Sequence, residues 1–452
     1  MSKRAFVAWL TGPAHDIVAR ADDGQPITRR DFARDVLCAV RALVGLDGQR
    51  IAIDEGHPYR FAVLLNAVLW SGCTPVLFPG RGAQFEALKD AYDAVLVYAS
   101  DGVTVYPKLT LVVKMDAEPL TIESLTKPDA TRPIRLFTSG SSGTPKCIEK
   151  TVGLMDREAE VTTRLFGAVT EGAVVQSTVD PRHLYGLTFN IWFAFSAGRP
   201  IATTRRVYQE QLLTLPHPVA LITTPTFMRM LETTLAAPVL PFVLSAGGPL
   251  SDEAKATLTA WSPSTIYEIY GSTETGVVAS RTHESNALAN AQTPDWPLID
   301  EAMLSETADG WILTSPLLPT GVMTLDDQLK LTGERTFHLL GRRDRVVKIG
   351  EVCLSLEQVE RVIKNEMGLV IRALLISTSQ RLVIGCVINE KLSENWVGTC
   401  PTRPYVMKSL VNKLDPLAIP RVWRSIKDWP VNSQGKLDSG ALLELFNVRN
   451  VT

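Results

Sequence analysis

Charge of one sign is what this chain most clearly lacks. Its 46 Lys+Arg stand against 48 Asp+Glu, so neither nucleic acid nor an anionic membrane surface has an electrostatic claim as principal partner. Cysteine is scarce too. The six, Cys38, Cys73, Cys147, Cys353, Cys386 and Cys400, are scattered without Cys-x-x-Cys spacing or a neighbouring histidine in a ligand-like pattern, which argues against a structural zinc or a disulfide framework. No apolar stretch reaches bilayer length, and the run within residues 1–10 breaks at Thr11-Gly12-Pro13, too short for a secretory signal core. Membrane insertion is therefore not expected, and a reducing cytoplasm is.

What is present is enough apolar residue, 45% of 452, to fill more than one core, and the length implies at least two domains. Residues 27–46 carry Phe32, Val36, Leu37, Val40 and Leu43 at helical spacing. Residues 50–53 and 76–78 read as strands around a helix over 59–70, and 174–175, 220–223 and 242–245 as further buried strands. Such alternation predicts an α/β fold, a large domain of sheets covered by helices. Residues 286–297, polar and proline-punctuated, read as a surface connection. At Gly341-Arg342-Arg343-Asp344-Arg345 charge replaces hydrophobicity, which suggests a boundary: a large domain over 1–341 and a small α+β domain over 342–452. The small domain is expected to hold helices over 356–367 and 406–414 and strands over 373–377 and 382–388.

The densest chemistry lies in Thr138-Ser139-Gly140-Ser141-Ser142-Gly143-Thr144-Pro145-Lys146. Glycines let backbone N–H groups approach a polyphosphate, hydroxyls add donors, and the lysine supplies positive charge. Alone, the stretch would equally suit a solvated linker. It is not the P-loop of NTPases, because Pro145 separates glycine from lysine and no hydroxyl follows Lys146. Further along, Tyr270-Gly271-Ser272-Thr273-Glu274-Thr275 offers an aromatic face, a hydroxyl and a carboxylate, which suit a base, a phosphate oxygen and Mg²⁺. Asp327, preceded by Asp326, lies fifteen residues before Arg342, and Gly435-Lys436 sits near the end of the chain.

In this order, these motifs resemble those of the adenylate-forming superfamily, which comprises acyl-CoA synthetases, nonribosomal-peptide adenylation domains and firefly luciferase. The resemblance implies ATP and Mg²⁺ as cofactors. Thr138, Ser139, Gly140, Ser141, Ser142 and Gly143 would hold phosphates with Lys146, Glu274 the metal, Thr273 the α-phosphate, and Asp327 both ribose hydroxyls. Tyr270, Gly271, Gly247 and Arg342 would complete the nucleotide site. Gly341 to Ile349 is similar to the family's hinge, with Asp344 as pivot. Lys436 matches the family's catalytic lysine, which domain closure would bring to the phosphates, and a lysine's compact charge fits that task.

Weaker matches over Pro181 to Leu187 and Ser245 to Leu250 place His183, Tyr185 and Ala246 around the acid, and Phe189 and Thr223 would complete the pocket. That mainly apolar set, with no carboxylate near Thr226 to greet an amino group, suggests an aryl or short acyl acid. The implied reaction forms an acyl-adenylate with release of pyrophosphate, then passes the acyl group to CoA or to the phosphopantetheine of an acyl carrier protein. The short chain also resembles ligases of bacterial aryl-polyene pathways. Two departures stand out: Leu325-Asp326 replaces the usual Thr-Gly before the aspartate, and Gly350-Glu351-Val352-Cys353 replaces x-Gly-x-Arg after the hinge. They motivate an alternative, a catalytically silent nucleotide-binding protein of the same fold.

Overall fold

Runs such as Val219–Thr223 and Phe242–Ser245 have no polar side, and both are buried along their whole length. A strand buried on both faces belongs inside a parallel sheet covered by helices. The computed structural model of the chain describes residues 5–78, 88–98, 109–114, 120–139, 145–213, 215–284, 294–307, 310–342, 345–349, 352–378, 382–430 and 437–447. It divides into two units, one from residues 5–138, Pro145–Met303 and Thr314–Met323, the other from Leu304–Leu313 and the chain from Thr324 on.

The first unit holds two large sheets. In one, strands follow the spatial order Leu109–Val113, Ala94–Tyr98, Arg50–Ile53, Thr74–Leu77, Pro133–Ser139 and Pro145–Thr151, with parallel pairing from the first to the fifth. The other runs Gly276–His283, Ile266–Ser272, Phe242–Ser245, Val219–Thr223, Val174–Ser177, Ile201–Ala202, Ile17–Arg20 and Pro26–Thr28. Its interior is parallel, and only the two outermost pairs are antiparallel. The helix Pro58–Trp70 opens on proline, which costs nothing at a helix start, and its residues are buried on every side. Arg29–Val40 opens with a capping box in which Thr28 and Asp31 satisfy each other's backbone N–H. These elements form the α/β fold expected from the sequence, although the first helix is shorter than residues 27–46 suggested.

In the second unit the sheet Ile371–Ser377, Leu382–Asn389, Val422–Ile426 packs against helices Leu356–Met367 and Arg403–Leu410. Leu356, Val359, Ile363 and Met367 form the buried stripe of the first helix, which Ser355 caps at its start and Gly368, at φ 64°, at its end. Two strands, Asp327–Leu331 and Thr336–Arg342, form an antiparallel pair ahead of the hairpin Val346–Ile349 and Val352–Ser355. No helix among the described residues is long and apolar enough to cross a membrane.

Candidate active site

A strand presents alternate side chains to one face, so Pro145–Thr151 places Lys146 and Lys150 on the same side. Their surroundings differ sharply: the Lys146 side chain is 63% exposed, while Lys150 is 1% exposed. Facing this edge is the turn between Ile266–Ser272 and Gly276–His283. A bulge falls between Tyr270 and Gly271, and a Cβ on Gly271 would stand 2.1 Å from the Gly276 carbonyl oxygen, so no side chain fits there. Ser272 N–H donates to the Thr275 hydroxyl at 2.8 Å, and Thr275 N–H to that of Ser272 at 3.2 Å. The turn thus closes on itself and leaves Thr273 and Glu274 half-buried at its tip. Glu274 Oε1 lies 3.8 Å from Lys146 Nζ.

Beneath the turn, Tyr270 packs against Trp296 with ring centroids 5.8 Å apart. Arg281 stacks over Trp296 at 4.0 Å while its Nε donates to Glu268 Oε2 at 2.7 Å. Of the stretch 286–297 read from the sequence as a surface connection, residues 286–293 lie outside the described residues, and the reading is corrected at Trp296, which is 5% exposed and forms a short strand with Pro297. Its neighbours' polarity hid one buried aromatic. Burial alone would raise the Glu268 pKa, but hydrogen bonds from His283 and Arg281 hold it below the ordinary carboxylate value.

At the carboxyl edge of the parallel strands, the Tyr185 hydroxyl stands 2.9 Å from the Thr223 carbonyl and 2.8 Å from that of Leu244, donating its one proton between them. Burial pushes this phenol far up, so it stays a donor. Its ring meets Phe189 edge-on at 5.5 Å, and Phe189 continues into an aromatic cluster with Phe166 and Phe193. Ala246 and Gly247, the latter at φ 85°, follow the strand Phe242–Ser245. Desolvation lowers the His183 pKa against the opposing charge of Asp180, which leaves the imidazole neutral near pH 7. Beside it, Arg182 bridges Asp54 at 2.9 Å and Asp180 at 2.8 Å, with only 6% of its side chain exposed.

In the second unit, Asp327 is the cross-strand partner of Arg342, and Gln328 that of Gly341, before a bulge shifts the register. Asp326, one residue earlier, precedes the ladder and is exposed. Thr138 and Ser139 end the strand Pro133–Ser139. Gly140, Ser141, Ser142, Gly143, Asp344 and Lys436 lie outside the described residues. Sequence reasoning missed Lys150, Glu158, Arg182 and Trp296. Only the repeat of lysine at positions 146 and 150 of one strand signalled any of them.

The model of the AMP-binding enzyme family matches residues 9–310. Among curated proteins, the chain is 30% identical over 233 residues to a 4-coumarate–CoA ligase of Rhodobacter capsulatus, covering 51% of this chain and 57% of that one. It is 23% identical over 365 residues to apicidin F synthase of Gibberella fujikuroi, covering 69% of this chain and 7% of that one. The chain thus spans little more than half the length of the first relative and a small part of the second. Among solved structures, ATP-bound MatB from Rhodopseudomonas palustris superposes with a TM-score of 0.78 at 17% identity, over 99% of both chains. The o-succinylbenzoate CoA synthetase MenE of Bacillus subtilis, with its acyl-adenylate, gives 0.76 at 17% identity over 98% and 97%. The amide bond synthetase McbA from Marinactinospora thermotolerans gives 0.77 at 15% identity over 97% and 99%. The superpositions establish the shared fold, and the family match covers the two large sheets, with the strand Pro145–Thr151 and the turn bearing Glu274: the chain belongs to the AMP-binding enzyme family, within the adenylate-forming superfamily.

Proposed function

We propose that this protein activates a carboxylic acid with ATP and passes the acyl group to a thiol. The observation that carries the reading is the 3.8 Å approach of Lys146 to Glu274, which joins the strand after the serine-rich loop to the turn Thr273-Glu274. In the first step the acid's carboxylate oxygen bonds to the α-phosphorus of ATP as the bond to the bridging oxygen breaks, and pyrophosphate leaves. In the second, thiol sulfur bonds to the acyl carbon, AMP departs and the thiol proton is released. No protein nucleophile is required.

The residues' work is positioning and charge neutralisation. Lys146, with Ser139 and the residues to Gly143, offsets the phosphates, the Thr273 hydroxyl donates to the α-phosphate, and Tyr270 and Gly247 flank the base. Asp327 accepts the ribose hydroxyls beside Arg342, and Lys436 meets the carboxylate and α-phosphate together, Asp344 serving as the pivot that delivers it. A single half-buried carboxylate fits Mg²⁺, which takes one or two protein oxygens and the rest from phosphates and water. No group of three or more potential ligands exists among the described residues. When bound at Glu274, the metal neutralises phosphate charge.

His183, Tyr185, Phe189, Thr223 and Ala246 would enclose the acid. A tyrosine pinned by two strand-end carbonyls sets a fixed depth, and the surroundings are aromatic, so the substrate is an aryl or short acyl acid. The acceptor is CoA or a carrier-protein phosphopantetheine, and the setting is cytoplasmic. ATP–pyrophosphate exchange across a panel of aromatic and short aliphatic acids, followed by mass detection of thioester with each acceptor, tests the proposal. Exchange with an aromatic acid is the expected result; ATP binding with no exchange on any acid would instead mark a silent nucleotide-binding protein.

The base-stacking role of Tyr270 is testable separately. Trp296→Ala removes the ring that braces it, and aromatic pairs contribute about 0.5–1.5 kcal/mol, so ATP affinity should fall about three- to ten-fold while the KM for the acid holds. Calorimetry and steady-state kinetics read the two quantities; an equal change in both would place Trp296 in general packing instead.

A further inference from the structure

Lys150 and Glu158 have no place in the mechanism above, yet both are almost wholly enclosed, at 1% and 2% exposure. Burying an ammonium and a carboxylate costs several kcal/mol each unless specific partners compensate. Each offsets the other's charge, and their further partners include backbone groups of one turn. Lys150 Nζ donates to the carbonyl oxygen of Glu274 at 3.3 Å, and Glu158 Oε1 accepts the N–H of Val277 at 2.9 Å. Between these anchors lies Gly276, at φ 68°, where a Cβ would stand 2.9 Å from Glu158 Oε1. The carboxylate therefore lies directly under the turn.

The two residues also share an origin. Lys146 and Lys150 stand on Pro145–Thr151, which passes without a loop into the helix Val152–Phe166 that carries Glu158, with Thr151 capping the helix through Leu154 N–H at 3.2 Å. One continuous segment thus meets the turn three times: at the Glu274 carboxylate through Lys146, at its carbonyl through Lys150, and at Val277 N–H through Glu158. Apolar side chains could fill the same space, but they could not fix the Glu274 carbonyl and the Val277 N–H that bound the second half of the turn.

We infer that Lys150 and Glu158 are positioning residues that hold the backbone of residues 274–277 so that the Glu274 carboxylate stands where a nucleotide-bound Mg²⁺ needs it, in register with Lys146. Their effect falls on the metal-dependent part of nucleotide binding, because both side chains are enclosed and meet the backbone of the turn that carries Glu274. The inference rests on the proposed role of Glu274 as the metal carboxylate.

Equilibrium titration of the full chain with ATP, once with excess Mg²⁺ and once with EDTA, separates the two parts. Lys150→Met should weaken Mg²⁺–ATP binding about ten-fold, the scale of one lost hydrogen bond to a charged group, while metal-free ATP binding moves less than about two-fold. Lys150→Arg, which keeps a charged donor, should recover most of the loss. Lys150→Met strands a buried carboxylate, so the double variant Lys150→Met/Glu158→Gln, which does not, carries the test if the single variant fails to fold. A folded double variant with the wild-type difference between the two titrations overturns the inference. So does one that loses both affinities equally, or one that cannot fold at all, since the pair would then serve the fold alone. Glu274→Gln is titrated alongside: if it too keeps the wild-type difference, the assignment of Glu274 has failed, whereas loss there with none in the double variant removes only the role given to Lys150 and Glu158.

Discussion

Replacing Lys436 with alanine is expected to lower ATP–pyrophosphate exchange by about a hundred- to a thousand-fold while transfer from a supplied acyl-adenylate to the thiol stays within about three-fold. The asymmetry follows from where negative charge gathers. In the adenylation step a carboxylate must reach a phosphorus already surrounded by anionic oxygens, and each positive charge at that point lowers the barrier by more than it stabilises separated reactants. In the transfer step pyrophosphate has gone, the mixed anhydride keeps a single negative charge on its one remaining phosphate, and the thiol attacks the acyl carbon instead of the phosphorus. Lys146 stands beside Glu274 at 3.8 Å, and its proposed work on the phosphates belongs to the first step as well. Single-turnover measurements of the two steps on the purified variant check this. Equal loss in both would mean that Lys436 supports the small unit instead of the reacting atoms.

Much of the fold was legible because burial and periodicity coincide. Residues 51–53, 220–222 and 242–244 are apolar without interruption and lie in central strands, and the stripe over 356–367 is a helix with its apolar positions inside. Boundaries drifted where caps decided them. The strand Ile266–Ser272 runs on past Tyr270 into the Tyr270–Thr275 motif, because a bulge between Tyr270 and Gly271 carries the pairing on. Candidate site residues stood out by type and order, but their meeting depends on register. That Asp327 sits across from Arg342 is set by an antiparallel ladder with a bulge at Gln328 and Leu329, which no local pattern reveals. The supporting residues were hidden for the opposite reason: Lys150, Glu158 and Arg182 are charged types that sequence reading assigns to solvent, and Trp296 lay among polar neighbours. Each is buried only because distant elements supply its partners.

Arg182 gives the largest expected effect on stability. Its guanidinium joins Asp54, just beyond the strand Arg50–Ile53 of one sheet, to Asp180, just beyond Val174–Ser177 of the other, so Arg182→Met breaks this tie between the sheets and takes from two enclosed carboxylates a cation they share, leaving Asp180 with Arg205. Removing one partner of a buried pair costs roughly 3–5 kcal/mol, which for a unit of this size corresponds to a fall in melting temperature of about 5–10 °C. The loss depends on pH in a definite direction. Burial by itself would raise the Asp180 pKa, but the hydrogen bonds and charge of Arg182, aided by Arg205 at 3.1 Å, hold it below the ordinary carboxylate value. A depressed folded-state pKa contributes stability in full above the unfolded value of about 4 and loses it as pH falls through the folded value. The gap between wild type and variant should therefore be widest near neutrality and narrow below about pH 4. Glu268, also held down but by His283 and Arg281, titrates alike in both proteins and cancels. Thermal unfolding of both proteins from pH 7 down to the acid limit of solubility decides the matter. A variant as stable as wild type at pH 7, or a gap that stays constant into acid, would show that the charges of Asp54 and Asp180 find other compensation and that Arg182 does not tie the sheets together.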